Sequence, residues 1–302
     1  MDNVALKEYI EKSELRLLRD DIKVRMSSEL AIKYDAGEFE GMLEKWVQAY
    51  EKIKSLNIKY PDDLTPILYI YIFPMDNYVD LLNIPKVFDN GNGGGKPVKC
   101  YDSDGYETAY GTTENMLDKK RLEWYSIMSE ENNIHELAHL VHSKFYNSSS
   151  IICEGFAEAI PLYGLNYEER FDKHREVLLN LKEEDILTVA QMFEQMNNNE
   201  FGKETSNTRG SCSFRYSYIS SYLIIRGCLE QIESKYNLSR KEAIQKFLDT
   251  IKTSKPYHES VFYDIADIID LDHDEIIYGK TIQLNALKSI SLIEEQNKKI
   301  TM

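Results

Sequence analysis

His135-Glu136-Leu137-Ala138-His139 forms an HExxH pentapeptide in a run that reads as helix. Residues four apart lie on one face of a helix, so both imidazoles can reach one metal ion. Zinc accepts neutral imidazole nitrogens, and a catalytic zinc keeps three protein ligands and a water. Glu136, next to the first histidine, is placed to take the proton of that water as a general base. The pentapeptide predicts an active-site helix and metal-assisted hydrolysis.

A third ligand separates the zinc-hydrolase classes. The extended form HExxHxxGxxH requires glycine at 142 and histidine at 145, where this chain has His142 and Phe145. That class is excluded. Ser148-Ser149-Ser150 interrupts the helix, and Ile151-Ile152-Cys153-Glu154-Gly155-Phe156-Ala157-Glu158-Ala159 begins a second one. Glu154 and Glu158 share a face, and Gly155 leaves room for close helix approach. Glu154 is assigned as the third ligand and Glu158 as the carboxylate that holds the other nitrogen of a ligand histidine. Two alternatives stay open: His142 as a ligand, since it shares the face of His135 and His139, and an exchange of roles between Glu154 and Glu158.

HELAH followed by EGFAE resembles the HExxH and NEGFA elements of the gluzincins, the thermolysin-like and aminopeptidase-like zinc peptidases. The gap from His139 to Glu154 is shorter than in the best-known members, and Cys153 stands where they usually carry asparagine. The resemblance spans residues 65–250 and implies one Zn2+ per chain on His135, His139 and Glu154, with a peptide or protein as substrate. It also implies an antiparallel edge strand that pairs with the substrate backbone. Thr108–Thr112, with Ala109, Tyr110 and Gly111 at its centre, takes that role. In many gluzincins a tyrosine near the start of a later helix donates a hydrogen bond to the developing oxyanion. Tyr218 matches that pattern best through Ser221, with Tyr216 as runner-up. Two other functions share these residues: a zincin-fold module that binds peptide without cleaving it, and a zinc amide hydrolase acting on a non-peptide substrate.

A chain of 302 residues has room for one large domain or two compact ones. Its 42% hydrophobic and 29% charged content is that of an ordinary globular protein. The net charge of −15 argues against nucleic acid and anionic membrane surfaces as partners. Cys100, Cys153, Cys212 and Cys228 show neither CxxC pairing nor zinc-ribbon spacing, and fit the reduced thiols of a cytoplasmic protein. The first twenty-one residues mix both charge signs without an apolar stretch, so no secretory signal is expected. The longest uncharged run, Leu64 to Met75, is too short to cross a bilayer. The expected location is the cytoplasm.

Along the chain, Leu6, Ile10, Leu15, Leu18 and Ile22, then Phe39, Leu43, Trp46, Val47, Tyr50 and Ile53, have helical spacing. They predict an N-terminal helical region over 1–62. Ile67–Phe73, rich in β-branched and aromatic residues between Pro66 and Pro74, predicts a buried strand. Asp104-Gly105 predicts a hairpin joining Val98–Tyr101 to Tyr106–Tyr110, while Gly91–Lys96 lacks phosphate-loop spacing. Leu117–Tyr146 is expected to hold one or two helices, the second carrying the metal motif. Asn197–Ser213 reads as a long polar loop. Ser239-Arg240-Lys241-Glu242 is a capping box, Ser260–Ile269 a further helix, and Asp272-His273-Asp274-Glu275 a helix start. The fold expected is α+β and zincin-like, with a small mixed sheet packed on the HExxH helix, a helical C-terminal half and N-terminal helices. Its expected parts are 1–62, 63–147 and 148–302.

Overall fold

The computed structural model describes residues 14–26, 44, 47–61, 67–72, 108–112, 121–127, 133–143, 145, 150–165, 177–198, 200–201, 216–254 and 259–300. For the strands other than at Ile22, for Asn133, Glu136, Leu140 and Ser143, and for residues 295 and 297–300, the description covers the backbone alone. The glycine-rich stretch at 91–96, the turn at Asp104-Gly105 and Arg215 lie outside the described residues. The chain forms two compact units, Met1–Asn147 and Ser148–Met302.

The residues whose side chains are placed are 80% helical and 1% strand, and no sheet is built from them. The expected α+β class is therefore corrected to a predominantly helical one for these residues. Among the described residues, most of the buried hydrophobic side chains lie on helices of the second unit.

In the first unit, strands are traced by their backbone. β1 (Glu14–Arg19) and β2 (Ile22–Met26) form an antiparallel hairpin across Asp20-Asp21. Over residues 14–26 the helix expected within the N-terminal region 1–62 is corrected to strand. Leu15 and Leu17, then Ile22, Val24 and Met26, alternate with charged residues at a period of two, and that alternation overrides the i, i+3 and i+4 spacing of Leu15, Leu18 and Ile22. β3 (Ile67–Ile72) lies parallel to β2 within the stretch expected to be a strand. Parallel neighbours need a crossover, and helix α1 (residues 47–54) lies within it. Ala49, Tyr50 and Ile53 are buried on α1, and Lys54 reaches back to Asp21 in the hairpin turn at 2.6 Å. Asn57, left-handed at φ 55°, follows the end of α1.

β4 (Thr108–Thr112) and β5 (Arg121–Ile127) pair antiparallel, and β5 pairs parallel with β3, giving the order β1-β2-β3-β5-β4. Of the one or two helices expected over Leu117–Tyr146, the described residues show the one that carries the metal motif, and Arg121–Ile127 is strand. Arg-Leu-Glu-Trp-Tyr-Ser-Ile alternates in polarity over its first four residues and carries aromatic side chains that suit a pleated backbone. β4 takes β5 as its antiparallel partner, and the hairpin expected between Val98–Tyr101 and Tyr106–Tyr110 falls largely outside the described residues. Helix α2 (Asn133–Ser143) carries the HExxH motif beside β4 and β5. It buries Ile134, Leu137, Ala138 and Val141.

The second unit opens with α3 (Ser150–Ala159), which continues into a π-turn over Ile160–Gly164. Pro161, without an amide proton, interrupts the α-helical hydrogen-bond ladder there. A helical turn at 177–180 and a 3₁₀ turn over Glu183–Asp185 lead to α4 (Val189–Asn197). α5 (Tyr216–Tyr236) follows, then α6 (Arg240–Thr253), α7 (Ser260–Ile269), α8 (His273–Tyr278) and α9 (Thr281–Ile300).

α5 is buried on nearly every face from Ser217 to Leu229, as befits the central helix of a bundle, and it packs on α3, α6, α7 and α9. Two glycines permit the closest approaches. A Cβ on Gly155 would stand 2.5 Å from the Ser221 carbonyl oxygen, and one on Gly227 would stand 2.6 Å from Ile282 Cγ2.

Candidate metal centre

α2 presents His135 and His139 one turn apart, as the i, i+4 spacing requires. Their Nε2 atoms are 3.0 Å apart, with the rings edge to face at a centroid separation of 4.6 Å. Two imidazole nitrogens hold such a distance when one donates to the other or when both lone pairs aim at a shared cation. Tetrahedral zinc with bonds of about 2.0–2.1 Å sets its ligand atoms about 3.3 Å apart, so the pair is close to the spacing one ion demands. Ligand atoms of His135, His139 and Glu154 all lie within 4.8 Å of one another. This donor set, two imidazoles and one carboxylate, is one that catalytic zinc uses. The residues fit the ion.

His135 is buried, while His139 and Glu154 are partly exposed. His142 is 2% exposed and Glu158 7% exposed; among the described residues neither belongs to the group. Glu158 lies one turn beyond Glu154 on α3. Gly155 does bring helices close, though its near neighbours are Ser221 and Ile225 on α5. The backbone of Glu136 follows His135 in α2, and its side chain lies outside the described residues.

Tyr216 opens α5 and Tyr218 lies in its first turn, partly exposed, with its ring 5.7 Å from that of Phe201. Ala109, Tyr110 and Gly111 sit mid-strand in β4, opposite Ser126, Tyr125 and Trp124 of β5. β4 is the last strand of the order, with β5 as its neighbour among the described residues.

Two features escaped the sequence reading. Phe201 is held to α4 by its amide, which donates to the Gln195 carbonyl at 3.1 Å, and so meets Tyr218 from a polar stretch with no periodic signal. Tyr222, Arg226 and Glu230 form a linked series on α5. Their i, i+4 spacing was the available signal, hidden inside an otherwise apolar run.

No protein-family model matches this sequence, and no curated protein matches it. No helix among the described residues is long and apolar enough to cross a membrane.

Proposed function

We propose that this chain is a gluzincin-like zinc metallopeptidase of the cytoplasm, acting on a peptide or protein substrate. The observation that carries this reading is the convergence of His135, His139 and Glu154, with ligand atoms within 4.8 Å, around an HExxH helix. A zinc ion bound there would supply Lewis acidity and a water that ionises near neutral pH. His135 and His139 would hold that ion through Nε2 and Glu154 through its carboxylate. Glu136 would take a proton from the attacking water and give it to the leaving amine. Tyr218 would donate its phenolic hydrogen to the oxyanion that develops on the scissile carbonyl. Ala109, Tyr110 and Gly111 would bind the substrate backbone by adding it to the sheet.

Elemental analysis of the wild type beside Glu154→Ala, followed by a peptide-library cleavage screen of the wild type beside Glu136→Gln, tests the reading. One zinc per wild-type chain, lost in Glu154→Ala, with cleavage lost in Glu136→Gln, is the expected result. Wild-type protein that takes up no zinc when supplied with it would overturn the enzyme reading. Zinc uptake without cleavage of any library member, or cleavage indifferent to Glu136→Gln, would turn it toward a binding module.

A further inference from the structure

The two residues that follow Glu154 anchor its helix in two directions. Gly155 and Phe156 are both buried, while Glu154 is partly exposed. Successive residues of a helix point about 100° apart, so Gly155 and Phe156 meet different neighbours and Glu154 faces nearly opposite to Phe156. Phe156 stacks on Phe247 of α6, with ring centroids 6.2 Å apart and planes inclined by 11°. That pairing resists rotation of α3 about its own axis. Gly155 faces α5. A Cβ built on it would stand 2.5 Å from the Ser221 carbonyl oxygen, 2.8 Å from the carbonyl carbon and 2.7 Å from Ile225 Cγ1. At this point the backbone of one helix rests on the backbone of the other, closer than any side chain allows.

The neighbouring residues suit that approach. Ala159, one turn after Gly155 on the same face of α3, is small and buried. Ser217, Ser220 and Ser221 are buried on α5. Ser221 Oγ donates to the Ser217 carbonyl at 2.7 Å, and Ser220 Oγ accepts from the Leu187 amide at 2.8 Å, so neither hydroxyl asks for a partner on α3. Carbon atoms in ordinary contact stand about 3.5 Å or more apart, so a side chain at 155 would lift α3 from α5 by about 1 Å. A zinc–carboxylate bond is only about 2.0–2.2 Å long. Glu154, the residue before Gly155, travels with that backbone. Its carboxylate then either leaves coordination distance or turns about its side-chain bonds to follow the ion, which changes the coordination geometry.

We propose that Gly155 is a positioning residue for the metal ligand Glu154: its missing side chain sets how deeply α3 seats on α5, and that depth places the carboxylate. This rests on the zinc reading above. It makes metal affinity depend on a helix crossing as well as on the ligands themselves.

The test uses the full chain as wild type, Gly155→Ala and Gly227→Ala. Gly227 is the matched control, because a Cβ there would stand 2.6 Å from Ile282 Cγ2 and 2.7 Å from the Ile282 carbonyl oxygen, overpacking α5 against α9 instead of α3. Zinc affinity is measured by competition with a chromophoric chelator, coordination by the visible absorption of the Co2+-loaded protein, and folding by the thermal melt of the metal-free protein. Gly155→Ala is expected to weaken zinc by about 10–100-fold, the range for outer partners of a metal site, and to shift the Co2+ bands. Gly227→Ala is expected to lower the melt while keeping wild-type affinity and bands. If Gly155→Ala does not fold, Ile225→Val carries the test: it shortens the side chain that closes over Gly155 and should shift the same bands. Wild-type affinity and bands in Gly155→Ala, unshifted bands in Ile225→Val, or equal losses of affinity in the two glycine variants would overturn the proposal while leaving the zinc site standing. A wild type that takes up neither zinc nor Co2+ would overturn both.

Discussion

Without Glu154, two imidazoles with Nε2 atoms 3.0 Å apart remain as ligands from the proposed set, one short of the three that a catalytic zinc keeps. Glu154→Ala should therefore weaken zinc by more than the roughly 10–100-fold that loss of an outer partner costs. Chelator competition reads this, and wild-type affinity would remove Glu154 from the ligand set. Glu136→Gln tests a different role: zinc should stay bound while turnover falls roughly 10²–10⁴-fold, the usual contribution of a general base. Cys228 carries a prediction of another kind. It is fully buried in α5, and desolvation pushes its thiol from 9.0 up to about 12. Between those pH values the folded chain keeps a proton that the unfolded chain has lost, so stability falls as pH rises. The contribution is whole below pH 9.0 and gone above about 12. At about 1.4 kcal/mol per pH unit, the loss approaches about 4 kcal/mol over the window. Cys228→Ala should flatten the alkaline fall of the urea midpoint, leaving a remainder from the buried phenols of Tyr60 and Tyr222, which burial shifts in the same direction. An unchanged slope would count against the buried-thiol account.

Helix starts were legible wherever a side chain closes on the backbone. Ser239 and Glu242 cap each other's amides at the head of α6, and Asp272 accepts from the amides of Asp274 and Glu275 at the head of α8, so those boundaries follow from residue identity. The β1–β2 hairpin was not legible in the same way. Leu15, Leu18 and Ile22 satisfy a helical period, while Leu15, Leu17, Ile22, Val24 and Met26 satisfy a strand period, and only pairing across Asp20-Asp21 decides between them. The contact of α3 with α5 belongs to this scale too, and it yields a differential prediction. An alanine Cβ at 155 would stand 2.5 Å from the Ser221 carbonyl oxygen and 2.7 Å from Ile225 Cγ1. Backbone cannot yield as a side chain does, so the two helices must part. Gly155→Ala should cost stability near the upper end of the about 1–3 kcal/mol typical of overpacking. At Gly164 the nearest atom is the mobile end of Ile244, Cδ1 at 3.1 Å, and Gly164→Ala should cost clearly less. Equal urea midpoints for the two variants would show that the α3–α5 contact does not limit stability.

Over the whole chain, legibility divides by the kind of physics involved. The candidate ligands were readable because metal coordination restricts residue type and a helix restricts spacing, which leaves His135, His139 and Glu154 few rivals. The fold class was not readable to the same degree. Periodicity marks individual elements, but it does not say how much of the core is helix packed on helix, as it is around α5. Arg226 shows the limit from the other side: a charged residue inside an apolar run reads as a surface position until its partners Tyr222 and Glu230 are known. The last prediction follows from that core. α5 is buried from Ser217 to Leu229 by α3, α6, α7 and α9, and Arg226 finds its partners on α5 itself, with Ser289 of α9 completing the series. Every one of these elements lies within Ser148–Met302. A fragment of those residues therefore keeps the described packing of α5 and the described partners of Arg226, and that favours independent folding. Expressed alone, it should give a helical far-ultraviolet spectrum and a cooperative urea transition. A helical spectrum with a broad, non-cooperative transition and strong dye binding would instead mark a molten core, and would show that the second unit needs the first to complete its packing.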